Sequence, residues 1–144
     1  MDQRVSLITL GVADLDHACA YYAALGWRKA GESQPGIAFY QLQGQILGLF
    51  PLAELAKDQG REGAALGFGA MALAHNLNSP GDVDAAYGEA IAAGATGLKP
   101  PEKVFWGGYS CYVADPDGHV WEYAHNPFFP LAGDGSLTLP SCAG

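Results

Sequence analysis

The chain has 144 residues, enough for one domain or for two small halves sharing a core, with 49% hydrophobic and 15% charged residues. A formal charge of −8 with no Lys/Arg cluster argues against nucleic acid and anionic lipid surfaces as partners. Cys19, Cys111 and Cys142 form no C-x-x-C pair and indicate neither a zinc site nor a redox pair. Asp2 stands where a signal peptide would carry basic charge, and no apolar run reaches membrane-spanning length, so the expected location is cytoplasmic, away from any membrane.

Val5 to Val12 is apolar and β-rich, and Asp14 offers a carboxylate cap for a helix running to about Leu25. Gly26 follows as a helix-ending glycine. Two short β-rich stretches, about 37–41 and 45–50, flank Gly44 as a hairpin turn. Residues 52–69, rich in charge and glycine, read as a linker with one helical turn at most. The order then recurs: a strand at about 71–77, a helix at about 83–93, and strands at about 108–114 and 119–125 joined by the tight turn Asp115-Pro116-Asp117-Gly118. DLDHACAYYAALGW (14–27) and DVDAAYGEAIAAGA (82–95) agree at Asp14/Asp82, Asp16/Asp84, Ala18/Ala86, Ala24/Ala92 and Gly26/Gly94, which supports an internal repeat. The boundaries expected are a first half at 1–51, a linker at 52–69, a second half at 70–126 and an apolar tail at 127–144. So apolar a tail predicts packing against its own sheet or a second subunit.

Two runs carry a family likeness: LITLGVADLDHACAYYAALGW near the N-terminus and GGYSCYVADPDGHVWEYAHNP in the second half, with D-P-D-G-x-x-x-E as its most specific mark. In these the chain resembles the vicinal oxygen chelate superfamily, in its glyoxalase, bleomycin-resistance and dioxygenase branch. The resemblance implies an α+β fold of two tandem βαβββ half-domains, a curled sheet around a shared cavity, and a homodimer. Metalloenzymes of this family place one ligand on the first and one on the last strand of each half. Those positions fall on Leu7, Gly48, Ala72 and Glu122. Only Glu122 can ligate, so no metal and no other cofactor is expected. An ungapped match of the two halves would instead set His75 opposite Leu7; His75 and Ala72 lie on opposite faces of a strand, so one register excludes the other.

Strand alternation and the family pattern then place Thr9, Tyr40, Asn76, Ser110 and Tyr112 on the ligand side with Glu122, and Trp106 at its margin before Gly107-Gly108. Trp121 and Tyr123, alternating with Glu122, belong to the helix side. A carboxylate among apolar neighbours needs a raised pKa, a donor such as Tyr112 or Ser110, or a ligand. Glu122 is thus a candidate general base, an anchor for a cationic group, or an acid satisfied by local hydroxyls. Two functions remain: a metal-free protein that sequesters a small organic molecule, or a lyase, isomerase or dioxygenase that uses Glu122 as base or ligand.

Overall fold

The computed structural model describes residues 1–142, so the last two residues of the apolar tail lie outside the described residues. The chain divides into two compact units, one ending at Phe68 and one beginning at Gly69. In the first unit β1 (Leu7–Val12) leads into α1 (Leu15–Ala24), followed by β2 (Ala38–Gln41), β3 (Ile46–Pro51) and α2 (Leu52–Asp58). The Asp14 carboxylate caps α1 by accepting from the His17 N–H at 2.9 Å. The chain leaves the helix through Gly26, whose φ of 86° a side chain would disfavour.

The first sheet runs β1-β3-β2, with β1 parallel and β2 antiparallel to β3. Its inner face carries Leu10, Val12, Ala38, Tyr40, Leu47 and Leu49, all buried. Tyr22 of α1 and Trp27 just beyond it close over that face, each ring centroid 5.9 Å from that of Tyr40. Burying each large side chain contributes roughly 1.5–3 kcal/mol. Segment 52–58, expected as linker, is a helix: Leu52 and Leu55 lie over β1, where a side chain at Gly11 would come within 2.6 Å of Leu52.

The second unit has β4 (Ala72–Asn76), α3 (Pro80–Ala93), β5 (Thr96–Lys103), β6 (Tyr109–Ala114), β7 (Val120–His125) and a short 3₁₀ turn (Pro140–Cys142). Ser79 caps α3 by accepting from the Asp82 N–H at 3.1 Å, and Pro80 opens the helix, where its missing N–H costs nothing. The sheet order is β4-β7-β6-β5. As in the first unit, the opening strand is parallel to the last, and a hairpin joins the last to its other neighbour. The strand with no counterpart in the first sheet is β5, at the margin. Its Pro100-Pro101 pair falls in an irregular stretch between Lys99 and Glu102, and this pair hides the strand in the sequence. α3 packs on β5, β6 and β7, over the buried Cys111, Val113, Trp121 and Tyr123. Among the described residues no helix is long and apolar enough to cross a membrane.

Candidate functional site

The register of the second sheet sets its other face in rows. Lys99 pairs with Tyr112, Tyr112 with Glu122, and Glu122 with Ala74. In the neighbouring row Glu102 pairs with Ser110, Ser110 with Ala124, and Ala124 with Asn76. Directly opposed residues of a sheet point the same way, so these rows present Tyr112, Glu122, Ser110 and Asn76 together. Burial and then the hydrogen bond to Glu122 raise the Tyr112 phenol above its ordinary pKa. Tyr112 is therefore the donor that the half-buried carboxylate requires. Lys99 closes the row through an ion pair with Glu102 at 3.0 Å.

Trp106 reaches the same face by a different route. The turn between β5 and β6 is held by Gly107 N–H donating to the Val104 carbonyl at 3.0 Å and Val104 N–H donating to that of Gly108 at 3.0 Å. Alternation along 108, 110 and 112 aims the vacant side-chain position of Gly108 to the side of Ser110 and Tyr112. A methyl group there would overlap the six-membered ring of Trp106. The indole thus lies across Gly108 on the face that holds Glu122, and 38% of the residue stays exposed. Gly108 is the seat of that ring. Neither Gly108 nor the Lys99–Glu102 pair was singled out from sequence; the clues were the Trp-Gly-Gly run and the Lys-Pro-Pro-Glu spacing.

The remaining expected residues separate. Thr9 belongs to the first sheet, paired with Gly48. Tyr40 corrects the expectation that it faces a ligand: it pairs with Leu47, is 2% exposed, and sits in the aromatic core beneath α1. Burial and the adjacent Cys19 thiol push its phenol pKa up. His75 pairs with Tyr123, their ring centroids 6.2 Å apart, so it lies on the helix side, away from Glu122. Desolvation lowers its pKa. His125 Nδ1 lies 3.1 Å from the Leu77 carbonyl oxygen and closes the strand end.

The donor set does not fit the metal of the family's metalloenzymes. The register makes Thr9–Gly48 the counterpart of Ala74–Glu122, and Leu7–Ile46 the counterpart of Ala72–Val120. Of these eight side chains only Glu122 is a carboxylate, and none is imidazole or thiol. Among the described residues no three His, Cys, Asp or Glu side chains are grouped to hold an ion.

The sequence profile described as Glyoxalase/Bleomycin resistance protein/Dioxygenase superfamily matches residues 4–123. A glyoxalase-related enzyme from Fulvimarina pelagi is 39% identical, covers 95% of this chain and 98% of its own, and superposes with a TM-score of 0.86. A glyoxalase/bleomycin resistance protein/dioxygenase from Nocardioides is 26% identical over 87% of this chain and 84% of its own, with a TM-score of 0.70. Lactoylglutathione lyase from Agrobacterium tumefaciens shares the fold, at 22% identity, 87% and 95% coverage and a TM-score of 0.66. No curated protein matches the sequence significantly.

Proposed function

This chain belongs to the Glyoxalase/Bleomycin resistance protein/Dioxygenase superfamily, and from that premise we propose that it binds a small organic cation on the second sheet, without a metal. The observation that carries this reading is the Glu122 carboxylate, held by Tyr112 on a face that also carries Ala74, Val120 and Ala124, while Lys99 beyond Tyr112 is engaged by Glu102. Apolar walls with few orienting polar groups are what a ligand pocket uses. The overall charge of −8 adds a long-range attraction for cations. The reading includes a cytoplasmic homodimer, supported by the exposed Phe128, Phe129, Leu137 and Leu139 of the tail, and light scattering should give twice 15.0 kDa.

The test uses n-octylamine as the probe. Calorimetric titration should show binding to the wild-type protein and at least tenfold weaker binding to Glu122→Gln, about 1.4 kcal/mol. The variant should keep its fold, with stability nearly unchanged, because a half-buried charge is replaced by a neutral acceptor of the same shape. Equal affinities for the two proteins would sink the reading. A second reading, a lyase, isomerase or dioxygenase with Glu122 as base, draws support from the glyoxalase-related enzyme at 39% identity and from the phenol paired to the carboxylate. Stoichiometric transition metal in protein purified without chelators would favour this second reading over the first.

A further inference from the structure

We infer that Glu102 is a positioning residue for the Glu122 site: by holding the Lys99 ammonium group it keeps the protein's own lysine off the carboxylate and leaves Glu122 open to an external cation. This rests on the reading of Glu122 as a cation anchor and adds the residue pair that governs its affinity. The placement comes from an irregular strand. In an unbroken strand, residues three apart point to opposite faces. Along β5, Lys99 stands opposite Tyr112 and Glu102 opposite Ser110, so three steps on β5 match two on β6. The one added residue, in the stretch that holds Pro100 and Pro101, turns both side chains to the face of Tyr112 and Ser110, where their ion pair closes at 3.0 Å.

After Arg61 the sequence holds two residues of the Lys or Arg type, Lys99 and Lys103. Lys103 stands opposite Tyr109, whose hydroxyl donates to Asp84 of α3 at 2.7 Å, so it belongs to the helix side. Lys99 is therefore the internal cation of the Glu122 face. Lys99, Tyr112 and Glu122 form one cross-strand row, which sets the lysine two strand spacings from the carboxylate, roughly 10 Å between Cα atoms. Two long side chains leaning together close that gap. Tyr112 gives the Glu122 carboxylate one donor, and a carboxylate has lone pairs for more. The Lys99–Glu102 pair is itself weak: its side chains are 43% and 51% exposed, and a pair screened to that extent shifts an equilibrium by no more than about fivefold. The ammonium group thus has two carboxylates within reach, and the one beside it on β5 holds it lightly.

The test is a double-mutant cycle on Glu102→Gln and Lys99→Gln, read by calorimetric titration with n-octylamine. Glu102→Gln should weaken binding about two- to fivefold, because the released lysine occupies Glu122. In the Lys99→Gln background the same substitution should leave affinity nearly unchanged, since no lysine is left to compete. Equal weakening in the two backgrounds would show that the loss of a negative charge is responsible rather than the release of Lys99. That result, or no weakening at all, would overturn the inference and spare the Glu122 reading. Equal octylamine affinity in the wild type and Glu122→Gln would overturn both. A crystal structure of Glu102→Gln gives a check without any ligand: Lys99 Nζ is expected within about 4 Å of a Glu122 carboxylate oxygen. An ammonium group left in solvent there would overturn the inference whatever the titrations give.

Discussion

The two sheets repeat one plan and differ in what their second faces carry. Each has a parallel pair formed by its first and last strands, an antiparallel hairpin, and a helix over one side. On the first sheet the other face presents Leu7, Thr9, Gly48 and Phe39, and α2 covers its end at Gly11. On the second it presents Lys99, Tyr112, Glu122, Ser110 and Asn76. A duplicated scaffold can thus keep its packing in both copies while only one copy carries ionisable groups on the side opposite the α1 or α3 helix. Packing is constrained by volume wherever a helix covers a sheet, and the opposite side is freer to diverge.

The largest effect expected concerns Tyr40, assigned to packing. Tyr40→Ala should cost about 3–5 kcal/mol in urea unfolding, the range for deleting a buried ring. Tyr40→Phe should be nearly neutral, because among the described residues the hydroxyl has the Cys19 thiol as its neighbour and no oxygen or nitrogen partner. Octylamine affinity should survive Tyr40→Phe unchanged. Lost affinity there would return Tyr40 to the ligand side and break the contrast between the faces.

A smaller effect is expected at alkaline pH. Burial pushes the Tyr123 phenol up to about 12, against about 10 in an unfolded chain. The folded state therefore favours the neutral phenol. The stability this gives is fully present below pH 10 and is lost as pH rises through 12. Melting temperature should fall across that window, and Tyr123→Phe should make the fall shallower. An identical slope in the variant would mean that Tyr123 ionises at the same pH in the folded and unfolded chain, against its burial.

The smallest expected effect is a null one. Micromolar Zn²⁺, Mn²⁺ or Ni²⁺ should shift the melting temperature by less than about 1 °C, since a ligand stabilises the native state only above its dissociation constant. His75→Ala should not alter that result, because His75 and Glu122 occupy opposite faces. A rise of several degrees, abolished by either His75→Ala or Glu122→Ala, would overturn the geometry of both.

Much of this was legible before any coordinates. Asp14 and Gly26 mark the ends of α1, and Gly44 and Gly118 mark hairpins, because caps and positive φ depend on local chemistry, whereas the Ser79 cap, which starts α3 three residues before the expected position, was not read. That Tyr112 and Ser110 share a face with Glu122 followed from alternation and the family pattern, whereas which of the two lies opposite the carboxylate needed the register. Tyr40 was misassigned because β2 has four residues, too short a strand to reveal its face without the partner register. β5 stayed hidden behind two prolines, and α2 behind a stretch whose charge resembled a linker. The seat of Trp106 was out of reach for another reason: a glycine in a sequence shows that a side chain is missing, not what fills the space.

Pro100 and Pro101 bear on more than the reading of β5. A strand arriving from another molecule would need amide donors at regular intervals along the margin it joins, and here two consecutive residues offer none. That margin is a poorer template for growth than an unbroken strand, so a fibre or swapped assembly that adds strands to this sheet meets less resistance at its other edge, β4.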